Sequence, residues 1–514
     1  MSADGSSISG AIREALEDFG APVDDRALAF YPRNDLGLAR RFLARFGADI
    51  RQTQEMGVLV WSGKRWVLDQ GTALARIMAQ RSAVAIGKLE VKALEDDPPG
   101  GDAKEVQKQI DGLRGFASSA CNSNKISAAL NEALPHVQAQ LDAWNTRADI
   151  LNCPNTALSL TAEGVQRVPH DRAHMATRLA GAHYDPEAKC PEWDKFILRV
   201  MPDPDERAYL QRVAGACLTD SSGDQKLCVH HGSGANGKST FWDAVCFVLG
   251  DYAMTVDVAS LLYGGEKQGS AASPDIARLA EGPRLVRASE PELGSRLSES
   301  HVKSITGGEP IVARMLHRPP MEFRPGFKIQ LSCNSRPSIR GGDDGIWRRI
   351  DLLHWKVQIP VNERDPHLPD KLKAEASGIL NWLIRGLEDW MEVGLATPES
   401  VLASTAEYRE DSDALGRFIL EWCEKDGEAE IDGGELHKAF TAWCKIEGSN
   451  IVNANNFSRR LTDRGFEKRK SNGKTYRGGL RLSEAGREAW NNWEVENMSR
   501  GRGWKRDEEE SDDK

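Results

Sequence analysis

Three hydrophobic periods succeed one another along this chain. Leu38 to Phe46 repeats apolar residues at helical spacing and predicts an amphipathic helix. Met56 to Leu68 alternates about Ser62-Gly63 and predicts a hairpin. Helical spacing returns over 70–150, broken by the Asp/Pro/Gly-rich loop 96–102, and 150–225 mixes short strands with helices. Leu227 to His231 reads as a strand leading into a glycine-rich turn. Phe241, Ala244, Val245, Val248 and Leu249 then mark a helix stopped by Gly250. Two more strand patterns follow, Arg284 onward and Phe327 to Cys333, so 226–358 reads as an α/β core. Leu380, Trp382, Leu383, Leu387 and Trp390 form one helical face, and Thr397-Pro-Glu-Ser400 reads as the cap of a further helix. Glu435–Cys444 and Asn453–Arg464 are helical, and Phe466 to Leu482 turns at Asn472-Gly473. Helix, turn, helix and hairpin predict a winged helix.

Charge sharpens that last element. The chain of 514 residues has a net charge of −10, which argues against an all-over nucleic-acid coat. Yet 453–482 holds nine Lys/Arg against two Asp/Glu. Arg459, Arg460 and Arg464 fall on the second helix; Lys468, Arg469, Lys470 and Lys474 fall on the wing. These seven are candidate DNA contacts, a protein-docking wing being the alternative. The last residues, 501–514, read as a disordered acidic tail that would compete for this surface. Trp61 and Trp66 suit base stacking or, more commonly, core. Nine scattered cysteines without C-x-x-C, no signal-peptide core and no apolar run of about 18 residues point to a cytoplasmic, membrane-free protein with reduced thiols.

The chemistry centres on Gly232-Ser233-Gly234-Ala235-Asn236-Gly237-Lys238-Ser239-Thr240, which fits the phosphate-cradling G-x-x-x-x-G-K-[S/T] pattern. Glycines let backbone N–H groups turn inward on phosphates. Lys238 reaches the terminal phosphates, and the Ser239 hydroxyl serves Mg²⁺. ATP and Mg²⁺ are therefore the expected ligands. A hydrolytic site also needs one carboxylate for the metal shell and one to orient water. Glu290 and Glu292, at the end of a strand, supply the candidates, with Glu290 on the metal side. Arg287 is out of place in so apolar a strand. Asn334 at the tip of another strand suits water orientation, though asparagine also favours turns. Arg348 and Arg349 after a glycine-rich turn suit an arginine finger given to a neighbouring subunit, or a surface salt bridge.

Gly-Ala-Asn-Gly-Lys-Ser-Thr, Ala-Ser-Glu-Pro-Glu, Ile305-Thr-Gly-Gly-Glu-Pro-Ile-Val-Ala-Arg314, Phe323-Arg-Pro-Gly-Phe-Lys328, Asn334 and Asp343-Asp-Gly-Ile-Trp-Arg-Arg349 occur in that order. Together they resemble the superfamily 3 helicase core of phage and plasmid primase-helicases, with poxvirus primase-helicase a relative. The resemblance spans roughly 30–490. It implies an AAA+-like P-loop core in an α/β fold, a mainly helical N-terminal region and a C-terminal winged-helix domain. It further implies a hexameric ring on single-stranded or forked DNA, ATP sites between subunits and 3′→5′ travel. It assigns a channel hairpin to about 312–323, with Arg314, His317 and Arg318 near its tip, Arg314 serving either DNA or the subunit interface. The division expected is a mixed module (1–80), a mainly helical domain (81–200), the helicase core (201–370), a helical connection (371–405), the winged helix (406–495) and the tail (496–514). Asn155-Thr-Ala-Leu-Ser-Leu160 departs from the family's usual Asn-Gly-Thr-Leu-Asp-Leu. Residues 1–195 show no Asp-x-Asp with a partnering His, so a separate primase-polymerase is the expected partner. The function expected is an ATP-dependent replicative helicase of a mobile element. A replication-initiator or loader ATPase and a non-enzymatic DNA scaffold are the other classes.

Overall fold

The structure is a computed structural model that describes residues 23–221, 223–262, 274–289, 291, 295–315, 320–339, 344–447, 451–471 and 473–495. Glu290, Glu292, His317, Arg318 and the 496–514 tail lie outside the described residues. Among those described, no helix is long and apolar enough to cross a membrane.

After the short helix Asp25–Ala29, helix Asp35–Phe46 starts where Asn34 Oδ1 accepts from Gly37 N at 2.9 Å. An antiparallel sheet follows, β1 (Ile50–Thr53), β2 (Gly57–Trp61) and β3 (Trp66–Leu68), in that order. Its β2–β3 turn is the expected one at Ser62-Gly63, closed by Ser62 Oγ donating to Arg65 O at 2.7 Å. Trp61 and Trp66 are buried edge to face 5.7 Å apart, and Trp144 packs on Trp66 at 5.6 Å; both sequence candidates for base stacking are core. Helices Ala73–Ala85, Ala103–Ala120 and Ser123–Ala133 complete this region. Phe42, Ile50, Val60, Met78 and Leu130 share one core, so the expected boundary at residue 80 falls inside a helix. Within the mainly helical 81–200, the short strands expected from residue 150 appear as β4 (Ile150–Cys153), β5 (Thr156–Thr161) and β6 (Gly164–Val168), which form a second antiparallel sheet. Asn155, in its first turn, bonds both ways to the Tyr184 backbone at 2.9 Å.

Helices Pro191–Val200 and Pro204–Ala216 lead into the central sheet. Its strands are β7 (Leu227–His231), β8 (Ala253–Thr255) and β9 (Leu285–Ser289). After the antiparallel hairpin β10 (Ile311–Ala313) and β11 (Met321–Phe323) come β12 (Lys328–Cys333) and β13 (Ile350–His354). The five central strands run parallel in the order β13-β7-β12-β9-β8. Neighbours in β7 face opposite ways, Cys228 into one core and Leu227 and Val229 into the other. The first core holds the helices Lys238–Leu249 and Ala376–Val393, with Trp193, Phe241, Trp355 and Trp382 in mutual ring contact. Burying both sheet faces is what a parallel sheet requires. The edge strand β13 is covered by helix Glu399–Ser412, whose Thr405 Oγ1 accepts from Leu352 N at 2.9 Å. Thr397 does not cap that helix; Pro398 takes the cap position, and the Thr397 hydroxyl donates to buried Asp351 at 3.2 Å.

The N-terminal region is clamped to this sheet. Buried Arg284 donates to Ile150 O at 2.6 Å and also to Leu218 O. Asp251, just beyond helix Lys238–Leu249, is ion-paired with Arg65, accepts from Leu179 N at 3.1 Å, and receives Arg178 on its carbonyl at 3.0 Å.

The C-terminal region runs helix Ala414–Trp422, β14 (Cys423–Asp432), helices Gly433–Ile446 and Ala454–Asp463, then β15 (Lys468–Ser471) and β16 (Lys474–Leu482). Its sheet order is β14-β16-β15, all antiparallel, over a core of Phe418, Leu436, Phe440, Trp443, Phe457 and Leu480. The hairpin and both helices match expectation; β14 does not.

Candidate functional site

Ligand clefts in open parallel sheets form at the carboxyl ends of the strands. There β7 passes into Gly232–Gly237 and then into helix Lys238–Leu249. The backbone at Gly234, Ala235 and Gly237 has φ of 96°, 51° and 85°. A Cβ at Gly237 would stand 2.6 Å from Val200 Cγ1, so helix Pro191–Val200 holds the loop from behind. The first amides of the helix have no partner within it and point toward the loop. Ser233 and Ser239 are exposed beside it, and Thr240 is half-buried.

Lys238 lies beneath the loop. Its Nζ donates to Gly232 O at 2.7 Å and Asn236 Oδ1 at 3.1 Å, and stands 3.4 Å from Asn334 Oδ1. Residues nearly a hundred positions apart thus meet where β7 and β12 end side by side, Ser332 and His230 being register partners. Among the described residues, Asn236 Nδ2 is buried without a partner, lying against Gly232 of the loop. The next strand over, β9, ends at Ser289. Glu290 follows it in sequence. Arg287, out of place by sequence, is ion-paired with Asp243 on the helix after the loop.

Histidines that the sequence reading passed over underpin the loop. Trp355 Nε1 donates to His230 Nδ1 at 3.2 Å, so the proton sits on Nε2 and is donated to Gln330 Oε1 at 2.8 Å. Burial pushes the His230 imidazole down to about 4. Burial, then His354, Arg336 and Lys238 nearby, push His231 down to about 4 as well. Both are neutral beside the glycine-rich loop at ordinary pH. Their only sequence signal was placement at the end of β7.

The paired arginines part ways. Arg348 is exposed after the short helix Asp344–Trp347, whereas Arg349 is buried and donates to Gly345 O at 2.7 Å. Arg349 therefore faces inward, bonded within its own chain. Strands β10 and β11 pair antiparallel over the segment expected to form a hairpin, with Ile311 opposite Phe323. Arg314 is half-buried at its outgoing end.

The C-terminal basic surface is smaller than its sequence charge. Strand β14 carries Glu424, Asp426, Glu428, Glu430 and Asp432 and lies against the wing. Arg469 pairs with Glu430 at 2.9 Å, Lys474 with Asp432 at 3.9 Å and Arg481 with Glu424 at 2.8 Å, while Arg464 pairs with Asp413. Arg477 is buried. Arg459, Lys468 and Lys470 remain exposed without an ion pair among the described residues; Arg460 is half-buried.

Residues 39–202 match the family described as D5 N terminal like, and 410–491 match the one described as poxvirus D5 protein-like. The protein named "Putative helicase L207/L206" of Acanthamoeba polyphaga mimivirus is 31% identical over 269 residues, covering 49% of this chain and 28% of that protein. "Putative helicase 022R" of Frog virus 3 is 24% identical, covering 48% and 27%. "Putative primase C962R" of African swine fever virus is 22% identical, covering 60% and 34%. The matched stretch is thus about a third or less of each relative's length. Among solved structures, the C-terminal region of NrS-1 aligns over 64% of this chain and 96% of that one, at 10% identity and TM-score 0.34. D5-type regions thus precede and follow the parallel sheet in sequence, and the chain is similar over part of its length to proteins named as helicases and primases of large DNA viruses.

Proposed function

We propose that this chain is an ATP-driven DNA helicase of the superfamily 3, AAA+ type, serving replication of a phage, plasmid or other mobile element. The observation that carries this reading is the convergence of the Gly232–Gly237 loop, the Lys238 ammonium and the Asn334 amide within 3.4 Å at the ends of adjacent parallel strands. The buried Asn236 donor and the open helix amides suit an anionic phosphate chain.

In this reading the loop backbone from Gly232 to Thr240 wraps the phosphates, and Lys238 neutralises their terminal charge. Bound Mg²⁺ would add charge neutralisation across the terminal phosphates, held by the Ser239 hydroxyl and Glu290. Glu292 and Asn334 orient the attacking water. Arg348, being exposed, is the cation offered to the next subunit's site. The β10–β11 hairpin grips one DNA strand through Arg314, His317 and Arg318. The C-terminal helices and wing form a winged helix that holds duplex or fork through Arg459, Lys468 and Lys470. A hexameric ring, 3′→5′ travel and a separate primase-polymerase complete the proposal.

The test is ATP hydrolysis and forked-duplex separation by the full chain, beside Lys238→Ala. Wild type should do both and the variant neither, while keeping its melting temperature. Hydrolysis without strand separation would replace the helicase by a loader; a wild type that hydrolyses no ATP would discard the motor.

A further inference from the structure

Helix Glu399–Ser412 is bonded to both catalytic flanks of the candidate ATP site. Two residues beyond Asn334, Arg336 pairs with Asp411 at 2.8 Å and approaches Glu407 at 3.8 Å. Its guanidinium lies 5.5 Å from the centre of the Tyr408 ring. The buried Tyr408 hydroxyl donates to Pro337 O. On the other flank, the Tyr408 ring packs edge to face on Trp347 at 5.3 Å, one residue before Arg348. Arg409 pairs with Asp344, at the start of the same short helix, at 2.6 Å. One helix turn thus touches the Asn334 segment through Arg336 and Pro337, and the Arg348 segment through Asp344 and Trp347.

The end of this helix that carries these contacts meets the C-terminal region without slack. Asp413 alone separates it from helix Ala414–Trp422. Its carboxylate accepts from Gly416 N at 3.0 Å and pairs with Arg464. Arg464 directly follows the basic helix Ala454–Asp463 of the candidate DNA surface. Anything that draws Arg464 toward a phosphate therefore pulls on the residue that ends the connecting helix. The last turns of one helix thus touch both the candidate ATP site and the C-terminal region, and contiguous packed and ion-paired side chains of this kind can carry coupling between two sites.

We infer that helix Glu399–Ser412 transmits DNA engagement at the C-terminal region to the ATP site, with Arg336, Tyr408 and Arg409 as positioning residues for Asn334 and Arg348. The inference rests on the ATPase reading above and adds the route by which DNA regulates it.

The Arg409–Asp344 pair allows a clean test, because its side chains are 46% and 86% exposed. Such a pair contributes little to stability, so Arg409→Asp and Asp344→Arg should melt as wild type does. Each single reversal opposes like charges across the contact. Each should lower the DNA-stimulated kcat by roughly tenfold, leaving the KM for ATP unchanged. The double exchange, Arg409→Asp with Asp344→Arg, should restore stimulation. Stimulation that survives both single reversals overturns the inference, as does a double exchange that restores nothing. A wild type that hydrolyses ATP with no response to DNA also overturns it while sparing the ATPase, and a wild type with no hydrolysis sinks the underlying reading instead.

Discussion

At the scale of single residues, the buried histidine beneath the glycine-rich loop carries a pH signature. His230 titrates near 6.5 when exposed and near 4 when folded. Between those values the unfolded chain binds the proton and the folded chain does not, so stability rises with pH across that window. The contribution is complete above about pH 6.5 and is lost progressively as pH falls toward 4. By pH 5 the cost should reach about 2 kcal/mol. His230→Asn should lower stability at pH 7 and flatten the decline toward pH 5, measured as urea unfolding at the two pH values. Equal pH dependence in the variant would assign the acid sensitivity elsewhere. His231 follows the same sign but is half-buried, and solvent screening discounts its share.

Among elements, the C-terminal wing shows how far local charge misleads. Nine basic residues crowd 453–482, but β14 brings carboxylates to Arg469, Lys474 and Arg481. Alanine at Arg459, Lys468 or Lys470 should weaken DNA binding across sequences and cut the salt slope by about one ion each. Arg469→Ala should change both far less; an equal loss at Arg469 would mean that DNA displaces Glu430. Strand β14 was not legible in Cys423–Asp432 because it alternates acids with small or polar residues, and only its ends are buried. It is a strand because it pairs with β16 and neutralises it. The glycine-lysine loop and the strands β7 and β12 were legible, since glycine spacing and buried apolar runs are local signals. The sheet order, the β4–β6 sheet and the shared core across residue 80 were not, because pairing and packing between distant segments leave no local period. Within the site, Lys238 and Asn334 were each readable alone, whereas their 3.4 Å meeting was not. The Arg348–Arg349 pair could not be parted by sequence, because burial is decided by the turn after Asp344–Trp347.

For the whole molecule, the proposed motor demands that one subunit complete another's site. Lys238→Ala and Arg348→Ala proteins should each be inactive yet assemble, and mixing them should recover part of the hydrolysis, since some interfaces then carry two intact halves. No recovery between folded, assembled partners would refute a shared site. Arg349→Ala, by contrast, should lower the melting temperature, because it removes a buried donor from Gly345 O. The clamp formed by Arg284 and Asp251 has a broader consequence. It fastens the N-terminal region to the end of helix Lys238–Leu249 opposite the phosphate loop, through buried or backbone-anchored bonds and no pliable tether. Any tilt of that helix must drag its passenger along, so a bulky cargo fixed to the N-terminal face would act as a brake on the stroke.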